Sequence, residues 1–423
     1  MGNPFSKLHA DGRSDLEAQP KRTYAAIVFL LTFGLMLSDY MSRQVINAVF
    51  PVLKAEWSLT DSQLGLLVSL VALLVGVMSF PVALISDKFG RVKAITVMAI
   101  VWGLATIWCG LTENFLQMLL ARALGGLGEA GYGGAGGAIL ISVFPERHRS
   151  TVIGIFFSAG LLGSVLGVAL GGVIAQHYGW RMAFILIGGG GLLLALLYPL
   201  LVREPGRHNH SRLNLPLSSV IRQLFGPHTA RWNYLGSGLQ MFVQGSLLAW
   251  LPSFFHRHHG LDLAQAALHA ALILLVGAVG MMVCGGVADR ASSRSPRNRL
   301  HMPALYALIT CPLLVLAFAM PPSPLQLVIL TAGAFFTGGH AGPCGAVAAD
   351  VSHPAIHATV IATVALANNL LGLAPGPFLT GVVADQIGLD RALQTMPLVS
   401  LLAGACFIIA ARHYDQDRLI GTA

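Results

Sequence analysis

Five ionisable side chains lie inside long apolar stretches of this sequence, namely Asp39, Arg43, Arg122, Glu129 and His340. A charge at the centre of a bilayer costs about 2.5–3.5 kcal/mol on insertion scales, so such residues usually face a partner or a water-filled cavity. Carboxylates in that environment can bind and release protons, and guanidinium groups can bind anions. These residue types therefore predict proton exchange and anion binding within an apolar interior.

The spacing of the charged residues places them in pairs on helix faces. Asp39 and Arg43 are four residues apart, so one helical turn brings them together. Arg122 and Glu129 are seven apart, two turns along one face, and Tyr132 follows one turn later. We predict that Glu129 and Asp39 exchange protons and that Arg43, Arg122 and Tyr132 contact a substrate. Static ion pairing of the same residues is the alternative interpretation.

Glu129 lies in the stretch LGGLGEAGYGGAGGA, residues 124–138, where small residues let neighbouring helices approach closely. The glycines nearest to it are Gly125, Gly126, Gly128, Gly131, Gly133 and Gly134. Close packing around Glu129 would keep its carboxylate away from lipid. The stretch therefore favours a buried carboxylate that faces the protein interior.

Uncharged polar side chains in other apolar stretches are further candidates for substrate binding. With the histidine named above they are Gln240, Gln244, His340, Asn368 and Asn369. Pro375 and Pro377 follow the two asparagines and predict a helix break there, which would free backbone groups for an amide to bind. Hydrogen bonding between helices is the alternative role for each of these side chains.

The elements that must hold these residues are transmembrane helices. Of the 423 residues 55% are hydrophobic and only 10% are charged, whereas a soluble protein carries about 25% charged residues. Apolar stretches of about 20 residues predict an all-α membrane protein with twelve transmembrane helices. Their predicted ranges are 24–50, 62–86, 92–112, 115–143, 150–176, 181–202, 231–255, 262–288, 301–320, 323–349, 356–384 and 391–411. The polar segment 203–230 separates two six-helix halves, 24–202 and 231–411, with tails at 1–23 and 412–423.

Basic residues indicate the orientation of these helices. Of 26 Lys and Arg residues, twenty fall on the side of both termini, four in the opposite loops and two inside helices. The positive-inside rule then places both termini in the cytoplasm. This topology accounts for the net charge of +8, which gives no indication of nucleic-acid binding. Residues 1–23 lack a hydrophobic core, so we expect no cleaved signal peptide and a bacterial inner membrane.

Three motifs recur in the same order in the two halves. TVI at 151–153 recurs at 359–361, and Asp87 corresponds to Asp289. GLGEAGYGG corresponds to TGGHAGPCG, which places Glu129 opposite His340. We therefore predict two pseudo-symmetric halves, an architecture found in transporters whose substrate site lies between the halves.

Other function classes leave no signature in the sequence. It contains no His-Glu-x-x-His motif, nucleophile–base motif or cofactor loop, so we expect neither an enzyme nor a cofactor. It also lacks a Gly-x-x-x-x-Gly-Lys-Ser/Thr loop, so an ion gradient is the expected energy source. The histidines of HRHHG, 256–260, are expected in a solvated outer loop, with metal capture as the alternative. The cysteines are interpreted as buried hydrophobic residues: Cys109, Cys284, Cys311, Cys344 and Cys406.

In these features the chain resembles the major facilitator superfamily along nearly its whole length. The loop SDKFGRVK is similar to that superfamily's Gly-x-x-x-Asp-Arg/Lys-x-Gly-Arg-Arg/Lys signature, although Ala83 replaces the leading Gly, and GGVADRASSR repeats it. The resemblance implies alternating access by rocking of the two halves around a central site. A carboxylate at a helix end can bind the N–H groups at the start of a neighbouring helix. We predict a conformational latch formed by Asp87, Lys88, Gly90, Arg91, Asp289 and Arg290.

Three stretches resemble the Spinster-like family more specifically: DYMSRQVINAVFPVLKAEWSLTDSQLGLL, ARALGGLGEAGYGGAGGAILISVFP and GWRMAFILIGG. In that family an Asp-Arg pair in the first helix and a Glu in the fourth are implicated in proton coupling and substrate binding. Arg43, Arg122 and Glu129 match those positions. Ser42 occupies the place of the Asp and stays among the predicted substrate-binding residues, while Asp39 is the substitute partner of Arg43.

The Spinster-like resemblance implies a secondary transporter for a lysolipid-like or other amphipathic solute, coupled to protons. We expect it to act as a monomer among membrane lipids. A symporter of protons with organic anions or sugar acids is the alternative. A transporter-like sensor is the remaining one, although such proteins usually carry an additional soluble domain.

Overall fold

A computed structural model describes residues 22–204, 217–353 and 356–421, and the statements below concern those ranges. Almost all of these residues are helical. In chain order the helices are α1 Arg22–Trp57, α2 Asp61–Phe89, α3 Arg91–Gly110, α4 Phe115–Glu129, α5 Tyr132–Val143, α6 Glu146–Tyr178, α7 Trp180–Leu201, α8 Leu217–Phe225, α9 His228–His258, α10 Leu263–Ser292, α11 Asn298–Ala319, α12 Pro324–Thr337, α13 Ala341–Asp350, α14 His357–Asn368, α15 Pro375–Ile387, α16 Leu389–Thr395 and α17 Val399–Gly421. Shorter turns join some of them: 3₁₀ turns at Gly338–His340 and Met396–Leu398 and a π-helical turn at Asn369–Leu373.

These helices form the twelve predicted spans. Ten units in the described ranges are long and apolar enough to cross a membrane. The other two predicted spans, 115–143 and 231–255, correspond to the interrupted pair α4–α5 and to α9. Helix α9 is more polar because it carries Gln240 and Gln244, and neighbouring helices bury most of its residues. The prediction of an all-α membrane protein with twelve transmembrane helices is therefore confirmed.

Several spans are interrupted next to predicted site residues. Glu129 ends α4, because Ala130 is extended and Gly131 takes a left-handed conformation with φ of +93°. His340 ends the 3₁₀ turn between α12 and α13. Asn369 begins the π-helical turn that precedes Pro375, so the predicted break lies where expected. Each interruption frees backbone groups that a continuous helix would have bonded internally.

The internal repeat is visible in the backbone as well as in the sequence. Gly179 has φ of +86° and ψ of +153°, and Gly388, 209 positions later, has φ of +88° and ψ of +154°. Helix caps repeat in the same way, since side chains of Thr60 and Asp262 accept a hydrogen bond from the glutamine N–H three residues later. Asn114 and Ser323 form the third and fourth such caps, at the starts of α4 and α12. These caps begin equivalent helices of the two halves.

Helices α9 and α17 extend into segments predicted as linker and tail. Helix α9 begins at His228, inside the predicted linker 203–230, which also contains α8. Helix α17 continues to Gly421, through most of the predicted tail 412–423. Tertiary contacts hold this polar end, because the Tyr414 hydroxyl donates to Asp350 at 2.6 Å and the Thr229 N–H donates to Asp417 at 2.7 Å. Hydropathy alone does not detect a helix that is stabilised in this way.

The hydrophobic core is continuous at one end of the molecule and divided at the other. The largest cluster of buried side chains draws on both halves, including Phe50 of α1 and Trp250 of α9, whose rings lie 5.2 Å apart. A second cluster, around Trp102 and Phe156, belongs to the first half only, and a third, around Phe407, to the second half only. The shared cluster lies at the end predicted to face outward. The two halves therefore meet at this end, which we call the outer end after that prediction, and separate toward the other.

Candidate functional site

The centre of the predicted site is a cluster in which one guanidinium group holds two carboxylates. Nε of Arg43 lies 2.9 Å from Oε2 of Glu129, and its Nη2 lies 3.4 Å from Oδ2 of Asp39. The approach to Glu129 lacks hydrogen-bond geometry, so it is an ion pair only. The carboxylate side chains are 2% and 3% exposed and that of Arg43 is 16% exposed. We call Asp39, Arg43 and Glu129 the charged triad.

Arg122 is directed toward the backbone of neighbouring helices. Its guanidinium donates to the carbonyl oxygens of Leu67 at 3.2 Å, Ser42 at 3.1 Å and Arg43 at 3.3 Å. The side chain therefore connects α4 to both α1 and α2 and is buried. The Ser42 hydroxyl donates to the carbonyl of Asp39 at 2.7 Å. Their places in substrate binding stay predictions.

The helix interruption after Glu129 is followed by Tyr132, the first residue of α5, whose side chain is fully buried. The Tyr132 hydroxyl donates to the carbonyl of Thr32 at 2.6 Å, and its ring meets Trp102 edge-on at 5.1 Å. The expected close helix approach occurs at Gly128, where a Cβ would lie 2.7 Å from the backbone N of Trp102. Gly134, by contrast, has open space beside it. Small residues therefore allow close helix approach at α4 more than at α5.

The second half contributes polar side chains with unused acceptors. Nε2 of Gln240 donates to the Thr337 carbonyl at 3.3 Å, and Nδ1 of His340 lies 3.1 Å from the same oxygen. Oε1 of Gln240, Oε1 of Gln244 and Nε2 of His340 are buried with no hydrogen-bond partner in the described residues. Gln240 and Gln244 belong to α9, and His340 lies in the turn after α12, at the position that corresponds to Glu129.

The two asparagines lie apart from that group. Oδ1 of Asn368 accepts a hydrogen bond from the Ser237 hydroxyl at 2.7 Å. Nδ2 of Asn369 donates to the carbonyl of Ala365 at 2.9 Å, and its Oδ1 has no partner among the described residues. Asn369 packs against Gly76 of α2, where a Cβ would meet it at 3.0 Å. Asn369 therefore lies at the boundary between the halves.

Of the six predicted latch residues, Asp87 has a side chain that lies outside the described part of the structure. The Lys88 ammonium lies 5.8 Å from the ring centre of Phe89. Asp289 and Arg290 are exposed in the last turn of α10, where their carbonyls accept from Ser292 and Ser293 hydroxyls. The latch itself stays a prediction.

A different carboxylate binds the start of α3. Gly90, with φ of +102°, turns the chain into α3, and the N–H groups of Arg91 and Val92 donate to Glu204 at 2.6 and 2.9 Å. This is the contact type predicted for the latch, because exposed N–H groups at a helix start attract anions. Glu204 follows α7, and the sequence argument did not identify it.

A second charged group, absent from the sequence predictions, joins the halves at the outer end. Asp61 of α2 accepts two hydrogen bonds from Arg257 of α9, at 2.9 and 2.7 Å, and one from Lys54 at 2.6 Å. The carboxylate of Asp385 accepts from the N–H groups of Asp61 and Ser62 at 2.6 and 3.0 Å. We call Lys54, Asp61, Arg257 and Asp385 the outer network. It fastens α2 of the first half to α9 and α15 of the second.

Hydrogen bonds between the halves share this location. Apart from the outer network they join Asn47 to Leu248, Gln176 to Leu263, and Ser69 to Phe378, at about 3.2 Å each. All of these residues belong to the outer parts of their helices. Together with the outer network, these bonds hold the two halves to each other at that end.

The histidines of HRHHG were expected in a solvated outer loop, but His256 and His258 belong to the end of α9 and are half-buried. Nδ1 of His256 lies 2.8 Å from the carbonyl of Leu261, and His258 contacts Asp390 at 3.2 Å. Partial burial and the neighbouring His258 lower the pKa of His259. Within the described ranges no three His, Cys, Asp or Glu side chains are grouped to hold a metal. All five cysteines are free and buried, as predicted.

A surface cavity of about 300 Å³ lies away from these groups. His228, Arg231, Trp232 and Leu235 line it, at the start of α9. None of the predicted site residues lines this cavity.

Comparison with known proteins identifies relatives over nearly the whole length. A family model described as Major Facilitator Superfamily matches residues 31–377. An MFS-type efflux pump of Mycolicibacterium smegmatis is 28% identical over 421 residues, covering 94% of this chain and 95% of the pump. The hexuronate transporter of Bacillus subtilis is 25% identical, covering 91% of this chain and 92% of that protein.

Among solved structures, a bacterial homologue of the human lysosomal transporter Spinster, in its inward-facing and unoccupied conformation, is similar to this chain. The TM-score is 0.84 at 23% sequence identity, covering 94% of this chain and 98% of that one. The likeness shows a shared fold of two six-helix halves.

Proposed function

The chain belongs to the major facilitator superfamily of transporters, and from this premise we propose that it is a proton-coupled secondary transporter of an amphipathic or anionic organic solute. The solute we propose is lysolipid-like or another lipid. The protein is an integral membrane protein with several spans, and we place both termini on the cytoplasmic side of a bacterial inner membrane. The distribution of Lys and Arg supports that orientation.

The observation that carries the proposal is the charged triad. Two buried carboxylates, Asp39 and Glu129, depend on the single guanidinium of Arg43. When a proton neutralises Glu129, Arg43 loses one of its two anionic partners and can bind an anionic group instead. Deprotonation then displaces that group, because the carboxylate competes for the same cation. Proton binding and anion binding are thereby linked through Arg43.

Alternating access requires that the outer end open and close, and the outer network supports this part of the proposal. The structure is closed where Asp61 and Arg257 connect the halves. Opening toward the outside must separate this pair. Three further bonds between the halves lie in the same region, so they would break in the same movement.

The choice of a lipid-like solute is supported by the Spinster-like sequence stretches and by the shared fold of the Spinster homologue. A sugar acid or another organic anion is the second candidate, supported by the hexuronate transporter that matches most of the chain. Arg43 can bind the phosphate of a lysolipid and the carboxylate of a sugar acid alike. The two candidates therefore share the proposed coupling and differ in the remainder of the solute.

The test is proton movement in liposomes that contain a pH-sensitive dye. Wild type, Glu129→Gln and the matched control Glu113→Gln are reconstituted, and lysolipids, sphingoid lipids and sugar acids are added in turn. Glu113 is an exposed carboxylate in the loop between α3 and α4. We expect one solute class to move protons with wild type and with Glu113→Gln but not with Glu129→Gln. Equal proton movement by all three proteins would exclude Glu129 as the coupling group.

A further inference from the structure

Three buried acceptor atoms in the second half lack partners among the described residues: Oε1 of Gln240, Oε1 of Gln244 and Nε2 of His340. Their side chains surround one stretch of backbone. Gln240 and His340 both contact the Thr337 carbonyl, at 3.3 and 3.1 Å. A Cβ built on Gly338 would lie 3.6 Å from Nε2 of Gln244. We call Gln240, Gln244 and His340 the acceptor cluster.

The Thr337 carbonyl determines which atoms of Gln240 and His340 are acceptors. A carbonyl oxygen only accepts, so the atoms that contact it must be donors. The amide nitrogen of Gln240 therefore points at Thr337, and its oxygen points away. In a neutral His340 ring Nδ1 carries the hydrogen, which leaves a lone pair on Nε2.

The surroundings of His340 favour the neutral ring. The residue is 1% exposed, and no carboxylate in the described ranges forms an ion pair with it. A buried cation without a counter-charge is costly. Nε2 of His340 is therefore an acceptor, like the free oxygens of the two glutamines.

A buried acceptor that has lost water and gained no donor destabilises the folded protein. Three such atoms around one turn of backbone offer acceptors to the N–H or O–H groups of a bound molecule. The first half has the opposite character, because Arg43 offers only donors and positive charge. Glu129 and His340 lie at equivalent interruptions of the two repeats, one in each half.

We propose that the transported solute is an anion that also carries hydroxyl or amine groups, with the anionic group bound by Arg43 and the donors bound by the acceptor cluster. This inference rests on the proposed function and narrows its substrate class. Plain alkyl anions, which have no such donors, are excluded as good substrates. A lysolipid with a free hydroxyl or an amine and a polyhydroxylated sugar acid both satisfy the requirement.

The test compares probes that share the anionic group and differ in their donors. Lysophosphatidate is paired with an alkyl phosphate of the same chain length, and glucuronate with cyclohexanecarboxylate. Equilibrium binding is measured on the purified full-length protein in detergent. In at least one pair we expect the donor-bearing member to bind about tenfold more tightly, as one good hydrogen bond provides. The pair in which the preference occurs distinguishes the lipid from the sugar acid.

Two variants remove single acceptors, and two serve as controls. Gln240→Leu and His340→Phe should each reduce the preference toward unity while leaving the affinity for the donor-free member unchanged. His340→Gln keeps an acceptor and should retain the preference. Gln326→Leu is the matched control, because Gln326 is also buried with an unpartnered Oε1 but lies near the start of α12, about 20 Å from His340. It should bind as wild type does.

The proposal is overturned if wild type shows no preference in either pair, or if the preference survives in both Gln240→Leu and His340→Phe. Thermal unfolding in the same detergent reports whether each variant is folded. If only one of the two variants folds, its preference alone tests the proposal. Failure of the proposed proton coupling would be recognised separately, since the liposome assay with Glu129→Gln depends on proton movement and this equilibrium preference does not.

Discussion

At Arg43, a single guanidinium group stabilises two carboxylates that are shielded from water. Removing one partner of a buried ion pair typically costs about 3–5 kcal/mol, because the remaining charge is left uncompensated. We expect Arg43→Ala to lower the thermal unfolding temperature in detergent strongly, since Asp39 and Glu129 would repel each other. Adding Asp39→Asn and Glu129→Gln to Arg43→Ala should recover most of the loss. A triple variant no more stable than the single one would contradict the charge argument.

Arg122 allows a second prediction at the residue scale, because its donors go to carbonyl oxygens of α1 and α2. Hydrogen bonds that involve a charged group contribute about 1.5–3 kcal/mol each. We expect Arg122→Gln to lower the unfolding temperature while the protein that remains folded binds substrate as wild type does. Arg391→Gln, at an exposed arginine in α16, is the control. A loss of affinity without a loss of stability would instead favour the substrate contact predicted from the sequence.

The sequence predicted the residues of this site better than their partners. The pairing of Asp39 with Arg43 followed from their separation by one helical turn, and the structure confirms it. The partner of Glu129 could not be obtained in this way. Spacing along α4 suggested Arg122, but Glu129 pairs with Arg43 of another helix. Contacts within a helix depend on local geometry, whereas contacts between helices depend on how the whole bundle packs.

Among the elements, α2 and α15 show how glycine brings the two halves together. A Cβ at Gly65 of α2 would overlap the carbonyl oxygen of Pro377, and a Cβ at Gly381 of α15 would overlap that of Asp61. We expect Gly65→Val to separate these helices and to favour an outward-open form. Gly134→Val is the matched control, because open space surrounds Gly134.

The separation of the two halves, which α2 and α15 join, can be measured as a distance between spin labels. The labels are placed at Glu113 of the first half and Gln386 of the second, both exposed at the outer end. The five native cysteines are first replaced. Gly65→Val should lengthen or broaden the distance distribution, and Gly134→Val should leave it as in wild type. An unchanged distribution in Gly65→Val would show that the interface tolerates the added side chain without opening.

Helix boundaries were predicted well where hydropathy changes and poorly where it does not. The interruptions at Glu129 and His340 lie within apolar stretches, so a count of apolar residues passes over them. Pro375 gave a direct signal, because proline cannot continue the hydrogen bonding of a helix, and the break beside it was predicted. The polar end of α17 was missed because tertiary contacts, rather than apolar residues, hold it in helical form.

For the whole molecule, the outer network fixes the relation between the halves. Arg257→Asp would place a second carboxylate against that of Asp61. We therefore expect the outer end to open and the distance between labels at Glu113 and Gln386 to increase. Combining Arg257→Asp with Asp61→Arg restores opposite charges and should return the distance toward wild type. Persistence of the long distance in the double variant would contradict the proposed role of this pair.

No local pattern identifies this network, since bonded members are separated by up to 324 positions and belong to different halves. The capping sequence Thr60–Gln63 does predict the start of α2, and with it the exposed N–H groups that Asp385 binds. The twelve spans and the repeat could be read from the sequence. The closed arrangement of the two halves at the outer end could not be read from the sequence.

The charges at the centre of the first half have a consequence for the energetics of transport. With both carboxylates ionised, Asp39, Arg43, Arg122 and Glu129 together carry no net charge. If one proton and one monovalent anion bind together, as proposed, the sum is again zero. The empty and the loaded carrier would then both reorient without moving charge through the electric field of the membrane. Solute uptake or release would follow the pH gradient and be insensitive to the membrane voltage.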